Sequence, residues 1–145
     1  LSEAEPLAEK DFIIERTILK IGNHVLNVRS DDLKSCDLTS NQSETLLFFE
    51  LHEGALILDL KEHLKISHQA ARNIVERMKA KGLLYVTVSH KDARAKQVFL
   101  SEKGKSVCKK LKKQGGSLGG NLLQYFTEKE KDQLLALLEK ITRTL

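Results

Sequence analysis

Between Ser67 and Arg77 the chain reads Ser-His-Gln-Ala-Ala-Arg-Asn-Ile-Val-Glu-Arg. On a helix, His68, Gln69, Arg72 and Asn73 share one polar face, because residues three and four apart are neighbours there. Arginine can pair with guanine O6 and N7, and Gln or Asn with adenine N6 and N7, in the major groove of duplex DNA. These four side chains in the first half of such a helix are therefore candidates for reading base edges. Arg77 lies deeper along the helix and suits a phosphate or intramolecular contact. Ser67, Lys65, Lys79 and Lys81 suit phosphate positioning, which fixes register without carrying sequence information. A second cluster, His90, Lys91, Asp92, Arg94 and Lys96, occupies a polar turn between two runs rich in β-formers. An arginine at such a tip fits a narrow, strongly negative minor groove.

Other chemistries find no pattern. There is no nucleophile elbow, phosphate-binding loop or metal-ligand motif, and Ser, His and Asp occur without catalytic spacing. An enzyme is not expected, nor is a cofactor. The five histidines (24, 52, 63, 68 and 90) include no His-x-x-x-His pair, and no Cys-x-x-Cys occurs, so no metal site is assigned. Cys36 falls in a predicted polar loop and is the one redox candidate. Cys108 lies on an apolar stripe with Val107 and Leu111 and is read as core.

The elements that must hold these residues follow from periodicity and caps. Apolar residues at three, four and seven over residues 7–29 predict a long helix with more than one apolar face, followed by a loop over residues 30–38. Thr39 and Gln42 have capping-box spacing, so a second helix starts there. Residues 55–58 are read as a short strand, and a short helix follows to Leu64. Ser67 is the N-cap of a helix running to Lys81, with Gly82 just past its end. Ala70, Ala71, Ile74, Val75 and Met78 form its apolar stripe. Two helices joined by about three residues have helix-turn-helix proportions. Residues 83–88 and 96–100 then read as a β-hairpin with a charged tip. Ser101 caps a helix over about 102–114, which the Gly115-Gly116-Ser117-Leu118-Gly119-Gly120 stretch breaks or kinks. Thr127 and Glu130 cap a last helix.

Composition narrows the class. The 145 residues suffice for one domain, with 41% hydrophobic, 30% charged and a single proline, which argues for a helix-rich globular chain. No apolar run approaches the roughly 20 residues of a membrane span, so no membrane is expected as a partner. Two cysteines are too few to staple a fold, which points to a reducing, cytoplasmic setting. The net charge of +4 conceals an asymmetry. Residues 1–60 hold five basic against twelve acidic residues, a net of −7, whereas residues 61–113 hold fifteen against four, a net of +11. One electropositive region is the footprint expected for phosphate binding.

These residues together resemble the MarR (multiple antibiotic resistance regulator) family of winged helix-turn-helix transcription factors. The resemblance runs from Leu38 to Gly104 and rests on Leu38, Thr39 and Gln42, on Lys81-Gly82-Leu83, on Asp92, Arg94, Ala95 and Lys96, and on Ser101-Glu102-Lys103-Gly104. It implies a mainly α fold with a small β-hairpin wing (α+β), a winged helix-turn-helix flanked by long dimerisation helices. The organisation expected is a single fold over 1–145: dimerisation helices at 1–36 and 115–145, the winged helix at 37–104 and a connecting helix at 105–114. It implies a homodimer that binds double-stranded DNA at a pseudo-palindromic operator as a repressor, with Asp92 holding Arg94. Release by a small hydrophobic or phenolic effector, or by a redox signal, is also implied. Val86 and Thr87 stand where the family often has Arg, and Arg72 stands where a small hydroxyl residue is common. Two alternatives remain at this point: a winged helix used for protein contact, and a metal-responsive regulator.

Overall fold

Most of the helix boundaries described have a local cause. The computed structural model describes residues 4–91 and 95–145. The elements follow in the order α1 (Ala4–Ser35), α2 (Ser40–Leu51), α3 (Ile57–Leu64), α4 (His68–Ala80), β1 (Leu84–Val88), β2 (Lys96–Leu100), α5 (Glu102–Leu122) and α6 (Glu128–Thr142). Two compact units result, one ending at Lys112 and the other spanning Lys113–Leu145.

Helix α1 runs to Ser35, so the predicted loop over residues 30–38 is largely helical. Nothing in Ser30–Ser35 breaks a helix; termination waits for Asp37, which takes the left-handed conformation at φ 54°. The amide of Asp37 then donates to the Lys34 carbonyl (3.1 Å) and that of Leu38 to the Leu33 carbonyl (3.0 Å), closing the helix end as a Schellman motif. Asp37 holds a place that usually falls to glycine, and a short polar side chain tolerates it.

Thr39 starts α2 with the reciprocal bonds expected: the Gln42 amide donates to Thr39 Oγ1 (3.2 Å) and the Thr39 amide to Gln42 Oε1 (3.3 Å). The predicted strand over 55–58 shrinks to a single bridge between Leu56 and Gln97. The Asp59 carboxylate accepts from the Leu56 amide (2.8 Å), which begins α3 at Ile57 instead. Gly54 and Ala55 still border the hairpin through bonds to Val98 of 3.0 and 2.9 Å.

The turn Lys65–Ser67 joins α3 to α4. Ser67 Oγ accepts from the Ala70 amide (3.1 Å), as its position as N-cap predicts. Ala71, Val75 and Met78 are buried, whereas the opposite face of α4 is exposed. Gly82, at φ 77°, ends α4 with the Gly82 and Leu83 amides donating to the Lys79 and Met78 carbonyls (2.9 and 3.0 Å). Strands β1 and β2 pair antiparallel, Tyr85 opposite Phe99 and Thr87 opposite Gln97.

The core lies beneath the helix-turn-helix and the hairpin. Leu46, Phe49, Leu60, Val75, Met78, Val98 and Cys108 have no exposed surface, and Leu83, Leu84 and Leu100 complete the cluster. Each large apolar side chain buried there contributes about 1.5–3 kcal/mol to holding the winged region together. Among the described residues of α1, Leu33 packs against it, as does Cys36 just past the helix end.

Helix α5 continues through Gly115, Gly116, Gly119 and Gly120 to Leu122, so the break expected there does not occur. Each glycine weakens the helix by about 1 kcal/mol against alanine without removing a backbone hydrogen bond. Helix α6 starts at the Thr127–Glu130 capping box, with bonds of 3.0 and 3.2 Å.

Candidate nucleic-acid interface

The polar face of α4 is assembled before any ligand arrives. Arg72 Nη2 and His68 Nε2 lie 3.0 Å apart, and Gln69 Nε2 donates to Asn73 Oδ1 at 3.0 Å. Both pairs span one helical turn, so four flexible side chains are held as two adjacent units, and all four are exposed. Holding them lowers the rotamer entropy still to be lost when they contact a ligand. A hollow lies on either side of α4. One, of about 390 Å³, separates Arg72 and Lys79 from Val86 and Lys96 at the base of the wing. The other, of about 540 Å³, separates Asn73 and Arg77 from Ser40 and Asn41 at the start of α2. The polar face of α4 therefore projects between two recesses. Ser40 and Asn41 were missed in the sequence, because a capping box locates a helix start along the chain but not its neighbours in space.

The other proposed contacts divide. Ser67 is committed to its cap, although its residue surface remains exposed. Arg77 is exposed beside the second hollow. Lys79 Nζ lies 3.3 Å from Glu76 Oε1, an exposed pair worth little in stability. Lys65 ends α3 in the left-handed conformation at φ 55°. Lys81 is held within the molecule: its ammonium donates to the Asp37 carbonyl and to Gln42 Oε1 (3.0 Å), with the Asp37 carboxylate 3.6 Å away. In the wing, His90, Lys91 and Lys96 are exposed. The Ser89 amide donates to the Ala95 carbonyl (2.9 Å) and the Lys91 amide to Ser89 Oγ (3.2 Å), which begins the turn. Asp92 and Arg94 lie outside the described residues.

The motif Ser101-Glu102-Lys103-Gly104 proves to be a clasp on the end of α4. Ser101 Oγ donates to the Gly82 carbonyl (2.5 Å) and also accepts from the Gly104 amide (3.0 Å), capping α5. Lys103 Nζ donates to the Lys81 carbonyl (3.0 Å). Gly104 lies so close to Leu83 that an added Cβ would stand 2.2 Å from its carbonyl oxygen. One four-residue turn thus supplies donors to the Lys81 and Gly82 carbonyls, just past the end of α4.

Cys36, expected in a polar loop, is half-buried against the core directly after α1. Its sulfur is 3.9 Å from Ser35 Oγ. Cys108 is buried, and burial together with the neighbouring Glu50 carboxylate pushes its thiol up to about 12. Cys108 is therefore a thiol at neutral pH and a poor nucleophile. Among the described residues no group of three or more His, Cys, Asp or Glu side chains could hold a metal ion. Among them also, no helix is long and apolar enough to cross a membrane.

A capped helix-turn-helix with a projecting polar face, bordered by an antiparallel hairpin, defines a winged helix-turn-helix protein. Residues 37–95 match the model of the MarR family. Over 132 residues the chain is 25% identical to the uncharacterized HTH-type transcriptional regulator YybA of Bacillus subtilis (strain 168), covering 91% of this chain and 88% of that protein. The fold is similar to that of the transcriptional regulator SlyA, at a TM-score of 0.79 and 22% identity over 90% of this chain and 92% of the other. It is also similar to MepR of S. aureus in a MepR–DNA complex, at a TM-score of 0.77 and 22% identity over 90% and 97%. The likeness to the MarR family is carried by residues 37–95, from the start of the helix-turn-helix through the first strand of the hairpin.

Proposed function

We propose that the chain is a repressor that binds a pseudo-palindromic site in double-stranded DNA as a homodimer. The observation that carries this reading is the face of α4: two hydrogen-bonded side-chain pairs, exposed together on a helix whose far end is clasped. The helix lies within the segment of net charge +11. That a similar fold, MepR, has been solved with DNA adds support. Gln69, Arg72, Asn73 and His68 read base edges; Arg77, Lys65, Lys79 and Ser67 border the backbone. His90, Lys91 and Lys96 flank the wing tip, where Asp92 orients Arg94 into the minor groove. The test is duplex binding across a salt series, because each phosphate neutralised contributes about −0.9 to the slope of log K against log salt. A steep negative slope is expected; a flat one would favour a winged helix that docks on protein.

Arg94→Ala is expected to weaken binding at physiological salt by about 1–3 kcal/mol with the melting curve unchanged, since minor-groove arginines act on the DNA and not on the core. Electrophoretic mobility titration checks this, and unaltered affinity would remove the wing from the interface.

The homodimer reading rests on the terminal helices, residues 1–36 and 115–145, with 105–114 connecting the latter to the winged helix at 37–104. Phe12, Ile14, Leu19, Ile21 and Leu26 on α1 are each 46–62% exposed, and Leu135, Leu137, Leu138 and Ile141 on α6 are 42–61% exposed. Apolar surface of that extent on a chain of this size marks an association surface. A two-fold partner covering it would set two α4 helices about 34 Å apart, one turn of DNA. Sedimentation at micromolar concentration is expected to give twice the 16.4 kDa chain mass; a stable monomer would reject the arrangement. Release by a small hydrophobic or phenolic effector is part of the proposal. Redox release through Cys36 is its weaker branch, given that residue's half-buried setting.

A further inference from the structure

Lys81 is placed by sequence among lysines that suit DNA phosphates, but its ammonium is already occupied. Only 30% of its side chain is exposed. The chain folds back from the last residue of the α4 cap to the turn between α1 and α2, where two acceptors and one ion-pair partner converge on it. These are the Asp37 carbonyl, Gln42 Oε1 at 3.0 Å and the Asp37 carboxylate at 3.6 Å. Each acceptor belongs to a structural terminus. Asp37 is the left-handed residue that closes α1, and Gln42 is the capping-box residue that opens α2. The Lys81 carbonyl in turn receives Lys103 from α5. One residue therefore joins the end of α1, the start of α2, the end of α4 and the start of α5.

We propose that Lys81 is a positioning residue that ties the end of α1 to the end of the recognition helix α4. It sets the orientation of α4 and does not contact phosphate. The geometry makes the tie specific. An ammonium offers three donors around a single point; two oxygens accept from it and a carboxylate oxygen lies 3.6 Å away, all at two successive helix termini. Hydrogen bonds to a charged group are roughly twice as strong as neutral ones, and the one to Gln42 is part-buried. Helix α1 carries the exposed apolar face read as the dimer surface, so a displacement of its end moves the Asp37 carbonyl and, through Lys81, the end of α4. The functional consequence of the tie rests on the DNA-binding reading; the tie itself does not.

The experiment compares Lys81→Met with the wild-type chain in two measurements. In duplex binding across a salt series, affinity is expected to fall by about tenfold, the equivalent of one charged hydrogen bond, with the salt slope unchanged. A slope shallower by about 0.9 would make Lys81 a phosphate contact and overturn the proposal. In native-state amide exchange, the amides of Asp37 and Leu38 at the end of α1 and of Gly82 and Leu83 at the end of α4 are expected to lose protection together. Exchange unchanged at one of these two ends would overturn it as well. Gln42→Glu keeps the capping-box acceptor and sets a carboxylate against the ammonium, so the same four amides are expected to exchange more slowly. Faster or unaltered exchange in that variant would count against the tie even if Lys81→Met failed to fold. A wild-type chain that bound no duplex would sink the DNA reading, and the exchange measurements would still decide the role of Lys81.

Discussion

Arg72→Ala is expected to lower affinity for the selected duplex by about 1–3 kcal/mol, five- to 150-fold, with a much smaller loss on random duplex. Arg72 is exposed at the centre of the α4 polar face, one turn from His68 and against the hollow at the wing base. A guanidinium there presents two parallel donors, the geometry that guanine O6 and N7 accept. Its removal leaves the α4 stripe of Ala71, Val75 and Met78 untouched, so folding should not change. Arg72→Lys separates the two kinds of contact. A lysine keeps the charge but loses the fork, so binding to random duplex should persist while discrimination at one base position fades. Competition titrations against duplexes varied at single positions provide the measurement. Equal losses on selected and random duplexes would make Arg72 a phosphate contact.

Gly104→Ala is expected to destabilise the chain by about 1–3 kcal/mol or somewhat more, as overpacking against fixed atoms does. The new methyl would stand 2.2 Å from the Leu83 carbonyl oxygen, which is backbone and cannot rotate away. Relief requires α5 to back off. That movement strains the Ser101–Gly82 and Lys103–Lys81 bonds at the end of α4. Stability and DNA affinity should therefore fall together. Gly116→Ala provides the contrast, since nothing lies within 4 Å of a Cβ added there. It should stabilise by up to about 1 kcal/mol through helix propensity alone. Urea denaturation followed by circular dichroism reads both signs. A wild-type midpoint for Gly104→Ala would show that the Leu83 contact gives way at no cost.

Most of the winged region was legible in the sequence because local chemistry specifies it. Thr39 with Gln42, Ser67, Gly82 and Thr127 with Glu130 announce helix ends by side-chain bonds that span three residues or by a backbone conformation that favours glycine. The apolar stripe of α4 likewise implies which face is left for Gln69, Arg72 and Asn73. Three readings failed where a local signal was passed over or a breaker was overweighted. Residues 30–35 look polar but continue α1, because polarity on an exposed helix is no obstacle and Asp37 supplies the stop. Residues 55–58 look like a strand, yet Asp59 caps α3 from within. The α5 glycines were weighed as a break, although their cost is spread along a helix that keeps its hydrogen bonds.

The site itself was legible as a face and not as an arrangement. The His68–Arg72 and Gln69–Asn73 pairs follow from i,i+4 spacing, and the sequence presents both. The placement of Ser40 and Asn41 beside Arg77 depends on how α2 packs, which no short window encodes. Nor does spacing disclose that Ser101, Lys103 and Gly104 close on α4, or that Lys81 turns inward to Asp37 and Gln42. Those contacts join residues 19 to 44 positions apart in the chain.

Selection of bound duplexes from a random library, using the full chain, tests the central claim most directly. The account expects enrichment of an inverted repeat whose half-site centres lie about 10 base pairs apart, one turn of B-DNA. It expects the base preference within each half to change when Gln69 or Arg72 is replaced. A wild-type library without enriched sequence, or an enriched sequence indifferent to both replacements, would contradict the assignment of α4 as the reading helix.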